Sequence, residues 1–245
     1  LPRQTPSSRL GTGHADGVST PRGFHHGLLD SGCVPTPEPT DAQLLHAWGE
    51  GDDAAGNTLV LRHFGVVYRF FASKLDTGVE DLAHQTFLAC LDGRERFRGD
   101  ASFRAYLLGT ARHQLYRHFR KQRREHDALA LHAMSAEQLT GSPSAALAAR
   151  DEVRLLQLAL RRIPLPLQIL VELHYWEGLR MDEIAEVMEI PAGTVKSRLS
   201  RARASLREQI LTADGSDALR RSTAQDFETW AMALRDALVH ERGGG

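Results

Sequence analysis

Four aliphatic positions, Val195, Leu199, Ala202 and Leu206, follow one another at intervals of four, three and four residues. A helix gathers such positions into one stripe, so this stretch has a single face to bury. Around the stripe, "GTVKSRLSRARASLRE" holds five basic side chains and one acid, and that acid, Glu208, comes last. A solvated face ordinarily mixes both signs of charge. An acid-free run from Gly193 to Arg207 is the surface a polyanion requires. Pro191 and Gly193 break the chain just ahead, and Thr194 is placed to cap the new helix. In the preceding "MDEIAEVMEI", Ile184, Ala185 and Met188 complement the stripe. Short helix, tight turn and basic helix, in that order, predict a helix-turn-helix.

Such a second helix enters the major groove of DNA. Lys196, Ser197, Ser200 and Arg201 then stand nearest the base edges, and Arg198, Arg203 and Arg207 nearest the phosphates. Thr194 lies at the helix N-terminus, where free N–H groups and the positive dipole end favour an anion.

The rest of the chain carries helical periodicity and no convincing run of strands, so the expected fold is all-α. Residues 1–38, rich in Gly, Pro, Ser and Thr, read as a disordered N-terminal arm. Residues 39–125 form a first small helical domain, beginning at "TDAQLLHAW" with Thr40 or Asp41 as cap. Periodicity fades over 126–149, a flexible linker containing "TGSPS". Residues 150–211 form the second domain, with the helix-turn-helix. A C-terminal extension, 212–245, places Phe227, Trp230, Leu234 and Leu238 on one face of an amphipathic helix. That face either enlarges the second domain's core, covers part of either domain or receives a partner.

The net charge of −1 hides an uneven distribution, because basic residues concentrate at 94–124 and 196–207. In the first block, Phe103, Leu107, Ala111, Leu115 and Phe119 step by four and make an apolar face. Tyr106, Arg112, His113, Tyr116, Arg117, Arg120 and Arg124 gather opposite. Aromatics beside cations suit single-stranded nucleic acid, whose bases stack while its phosphates pair. In "VEDLAHQTFLACLD", Val79, Ala83, Phe87 and Cys90 form the buried stripe, leaving Asp81, His84, Gln85 and Leu88 outward.

Two cysteines, Cys33 and Cys90, argue against a disulfide framework, and no secretory signal or bilayer-length apolar run is present. The expectation is a soluble, cytoplasmic protein. Adjacent His25 and His26 in the arm do not amount to a metal site.

"EDLAHQTFLACLDGRERFRGDASFRAYLLGTARHQLYRHFRKQRR" resembles the second conserved region of extracytoplasmic-function (ECF) sigma factors, of the sigma-70 family. "YWEGLRMDEIAEVMEIPAGTVKSRLSRARASLRE" resembles their fourth region, and the likeness runs from about 41 to 211 in the family's order. The resemblance implies a promoter-specificity subunit of bacterial RNA polymerase. Its first domain would grip the β′ clamp helices through Asp81, Gln85 and Leu88. The same domain would capture the −10 element through Arg96, Phe97, Arg98, Tyr106, Arg112, His113, Tyr116, Arg117 and Arg120. The second domain would rest on the β flap and read the −35 element through Thr194, Lys196, Ser197, Arg198, Ser200, Arg201 and Arg203. Core polymerase and promoter DNA are the implied partners, with an anti-sigma factor as regulator; no cofactor, metal or membrane is implied. The chain departs from the family pattern at Tyr106 (commonly Trp), at His113 (commonly Asn) and in "IPLPLQIL", which replaces "LP-x-x-x-R-x-V". The tail beyond 212 is also unusual.

Two rivals stand beside this reading. A free-standing helix-turn-helix regulator would typically need dimer symmetry to read two half-sites and leaves the Asp81 surface unemployed. An enzyme acting on DNA needs a nucleophile or clustered metal-binding acids; neither Asp52 with Asp53 nor Asp81 with His84 makes such a constellation.

Overall fold

The structure is a computed structural model that describes residues 38–97, 102–122, 133–140 and 151–240. The side chains of 227, 228, 230 and 237–240 are excepted. The expected arm with His25, His26 and Cys33, together with Arg98, Arg124 and linker residues 126–132 and 141–149, lies outside the described residues.

Local chemistry starts each helix of the N-terminal half. Thr40 closes a capping box with Gln43 at the head of α1 (Asp41–Gly49). Asp52 accepts from the amides of Ala54 and Ala55, each at 3.0 Å, to start α2 (Asp53–Ala72). One of the acids weighed for catalysis is therefore a cap. Gly78, at φ 74°, turns the chain into α3 (Val79–Asp92), a conformation that side chains with a Cβ rarely adopt. A single 3-10 turn, Arg94–Arg96, precedes α4 (Phe103–Gln122). Leu59, Val67 and Phe71 of α2 are fully covered, as are Ala83 and Cys90 of α3 and Leu107, Ala111 and Leu115 of α4.

The C-terminal half is built from α6 (Asp151–Arg162), α7 (Leu165–Tyr175), α8 (Met181–Met188) and α9 (Ala192–Thr212). Ahead of it, inside the expected linker, α5 (Ala136–Thr140) is docked rather than loose. Ala136 and Leu139 are buried, and the Thr140 hydroxyl donates to the Lys74 carbonyl at 3.3 Å. Among the described residues no strand forms; Ser135 and Pro164 make one isolated bridge.

Residues from Pro39 onward form one compact unit, so the halves touch. Their junction is laced with ion pairs, one of them fully covered. Lys74, at the end of α2, is completely covered and pairs with Glu172 of α7, itself 2% exposed. The Lys74 ammonium also donates to the Phe70 carbonyl at 2.6 Å and the Ser73 hydroxyl at 2.9 Å. Gln168 donates to the second Glu172 oxygen at 3.0 Å. Burial pushes the Lys74 ammonium pKa down and the Glu172 carboxyl pKa up, and their mutual attraction opposes both shifts. Arg69 pairs with Glu177 at 3.0 Å, and buried Arg161 holds Asp76 through two bonds of 3.1 and 3.3 Å. The tail forms α10 (Asp217–Gln225) and α11 (Phe227–His240), which pack on α6.

A buried pair is expensive to break from one side. Lys74→Met should lower stability by ~3–5 kcal/mol, because Glu172 is left alone in the interior. Lys74→Met with Glu172→Leu should recover most of that loss. Urea unfolding of both single variants and the double checks it; a double-variant loss equal to the sum of the two single losses would show that the charges are not coupled.

Candidate nucleic-acid interface

The predicted helix-turn-helix is present as α8 and α9, with α9 packed on α6, α7 and α8. Val195, Leu199, Ala202 and Leu206 are all buried, and Ile210 extends the stripe. Ile184, Ala185 and Met188 lie buried in α8. Lys196, Ser197, Arg198, Ser200, Arg201 and Arg203 are exposed along α9, and Thr194 is half-buried.

Thr194 does not cap α9, contrary to expectation. The helix begins two residues earlier, because Pro191 (φ −58°, ψ 138°) already supplies the extended residue before the first turn. Thr194 lies inside that turn, where its amide donates to the Pro191 carbonyl at 2.8 Å and its own carbonyl accepts from the Ser197 hydroxyl at 2.9 Å. No side chain caps this end. The Ala192 and Gly193 amides, ahead of Thr194 in the first turn, have no carbonyl of the helix to reach and point along the dipole's positive end, which suits a phosphate.

The turn between α8 and α9 rests on Glu189, whose φ of 54° lies in the left-handed region. Glycine is the residue that normally fills such a helix C-terminus. The Glu189 carboxylate reaches α4, meeting Arg112 at 3.0 Å and His113 at 3.1 Å. Partial burial pushes its pKa up, but the Arg112 hydrogen bond and the neighbouring charges outweigh that and hold it below the usual range.

Phe103, Leu107, Ala111, Leu115 and Phe119 of α4 are buried as expected. The opposite side is divided. His113, Arg117 and Arg120 are exposed, whereas Arg112 and Tyr116 are 8% and 7% exposed. A second covered row, Ala105, Leu108, Arg112 and Tyr116, runs along the side that meets α8. Arg112 donates to the Val187 carbonyl at 3.3 Å and lies 5.5 Å from the Tyr116 ring centre. Tyr106 is half-buried, donates to the Cys90 carbonyl at 3.3 Å, and burial pushes its phenol up to about 12. A Cβ at Gly93 would sit 2.8 Å from that phenol oxygen, so a larger residue there would have to displace the Tyr106 hydroxyl. Phe97 packs edge-on to Phe103 at 5.7 Å and tilts against Tyr106 at 5.3 Å, with Arg96 exposed beside it.

On α3, Asp81, His84, Gln85 and Leu88 face outward, Leu88 being 56% exposed. Asp81 and Gln85 join Arg117 and Lys121 of α4 around a cavity of about 210 Å³. A larger one, about 570 Å³, lies between α4 and α9 and is lined by Arg112, Tyr116, Leu167, Ile190, Arg198 and Arg201. Sequence reasoning passed over the junction residues Arg69, Lys74, Glu172, Glu177 and Glu189. Among the described residues no group of three or more His, Cys, Asp and Glu could hold a metal, and no helix is long and apolar enough to cross a membrane.

Comparison with known proteins defines the class. Residues 59–125 match the family "Sigma-70 region 2", and residues 154–206 match "Sigma-70, region 4". The RNA polymerase sigma-H factor of Pseudomonas aeruginosa is 30% identical over 179 residues, which are 68% of this chain and 91% of that protein. The ECF RNA polymerase sigma-E factor of Escherichia coli is 28% identical over 180 residues, 70% of this chain and 94% of that one. The structure of CnrH in complex with the cytosolic domain of CnrY shares the fold, with a TM-score of 0.50 at 22% identity over 71% of this chain and 99% of that one. The chain belongs to the ECF sigma factors of the sigma-70 family, and it acts as an RNA polymerase sigma factor in transcription initiation.

The uncapped start of α9 makes two threonines unequal. Thr40→Ala should cost about 1 kcal/mol, the worth of a helix cap, and Thr194→Ala less than about 0.5 kcal/mol. Thermal unfolding of both variants measures the difference; equal losses would restore Thr194 as a cap.

Proposed function

We propose that the two sigma regions divide the promoter as follows. The exposed face of α9 reads the −35 element, with Lys196, Ser197, Ser200 and Arg201 at base edges, Arg198 and Arg203 at phosphates and Thr194 beside the uncapped helix end. The observation that carries this is an acid-free, exposed row on a helix whose other side is fully buried. The −10 element is taken by α4 and the loop before it: Arg96, Phe97, Arg98, Tyr106, Arg112, His113, Tyr116, Arg117 and Arg120. Melted DNA loses stacking and pairing of about 1.4 kcal/mol per base step, which aromatic stacking and phosphate neutralisation offset in part. His113 donates or accepts a hydrogen bond to an extruded base.

Asp81, Gln85 and Leu88 form the polymerase contact, through the β′ clamp helices, and the 150–211 domain rests on the β flap. The chain makes and breaks no bond, works in the cytoplasm and answers to an anti-sigma polypeptide. A solved complex of CnrH with the cytosolic domain of CnrY is a precedent for a sigma fold held by a polypeptide partner.

Arg201→Ala should weaken −35 duplex binding by ~1–3 kcal/mol if the guanidinium reads a base. Equal weakening on scrambled DNA would reassign it to phosphate. Asp81→Ala with Gln85→Ala should reduce association with core polymerase while −35 binding stays intact. Reconstituted transcription on a promoter library tests the whole: no initiation at any site overturns the reading.

A further inference from the structure

The −10 and −35 elements are named for positions about 25 base pairs apart, roughly 85 Å of duplex at about 3.4 Å per pair. A compact unit of some two hundred residues has a radius of gyration of about 17 Å and spans about 45 Å. The closed arrangement therefore cannot place α4 on one element and α9 on the other. Promoter engagement as proposed above requires the halves to part.

Their junction resists parting. The N-terminal half contributes cations, Arg69, Lys74, Arg104 and Arg112, and the C-terminal half answers with Glu172, Glu177 and Glu189. On α4 the Glu189 carboxylate engages Arg112, a residue assigned above to the −10 strand, and Arg112 and Tyr116 are covered in the closed form. Helix α11 then lies across the seam, packing against α2 on one side and against α6 and α7 on the other. Leu234 and Ala231, each 1% exposed, are its buried anchors, and Arg235 reaches the Trp176 carbonyl at 3.5 Å. An element that only enlarged the C-terminal domain would have no reason to touch α2.

We propose that α11 is an intramolecular latch: seated on both halves, it keeps the sigma factor closed and part of the −10 face covered until it is displaced. This rests on the promoter assignment above for its consequence, but not for its geometry. The α9 face stays exposed in the closed form, so the latch restrains −10 capture and leaves −35 binding free.

The test uses the full chain with Leu234→Glu, which sets a carboxylate in the anchor position. Small-angle scattering should show the radius of gyration rising by roughly 5–8 Å as two halves separate. Binding to a −10 single strand should tighten roughly tenfold, as for an open state populated about a tenth of the time before the change. Binding to a −35 duplex should be unchanged. If Leu234→Glu loses its helical circular dichroism, Leu234→Ala carries the same measurements with smaller effects. A folded variant with an unchanged radius overturns the latch. Expansion without any strand binding by either form would keep the latch and sink the −10 assignment instead.

Discussion

One fully buried ion pair, Lys74 with Glu172, organises the contact between the two halves. Neither charge can reach water, so each depends on the other and on the ring of Phe70 carbonyl, Ser73 hydroxyl and Gln168 amide around them. Such a pair tolerates little displacement, because a small gap leaves two desolvated charges with weaker attraction. It favours one register between α2 and α7. Arg161 with Asp76 and Arg69 with Glu177 then stand in line on the same seam. Apolar surfaces alone would let the halves slide; charges at the junction make the closed arrangement specific and also separable, since opening returns Lys74 and Glu172 to water.

Most of the fold was legible in the sequence, because helical periodicity is a local signal. The stripe from Val195 to Leu206 and a cap at Thr40 or Asp41 emerged from spacing and residue type, and the two sigma regions from resemblance to the family. What escaped was tertiary. Arg112 and Tyr116 were placed on an open face, yet Ala105, Leu108, Arg112 and Tyr116 form a second row at intervals of three, four and four. Ala105 and Leu108 could have revealed that α4 buries two faces. An arginine in such a row reads as exposed until a partner carboxylate is known, and Glu189 lies 77 residues away.

Thr194 was misjudged for a different reason. Capping preference identifies threonine, but a proline three residues earlier can begin the helix by fixing its own backbone. The docked α5 was missed because five residues carry too little periodicity to notice. Its order comes from Thr140 and Glu137 meeting Lys74, Arg161 and Arg162, contacts no local pattern encodes.

The departure in "IPLPLQIL" gains a physical meaning from the junction. Gln168 stands where the family pattern has its arginine, and it is completely covered, bonded to Glu172 and to the Ser73 carbonyl. An arginine there would add a further buried cation to Lys74 and Arg161 and compete with Lys74 for Glu172. A neutral amide instead donates to both oxygens of the surroundings without adding charge. Lys74 of α2 supplies the cation that Glu172 of α7 pairs with, across the seam. The same seam lies beneath the tail that follows α9, so the Gln168 site and the tail converge on one interface.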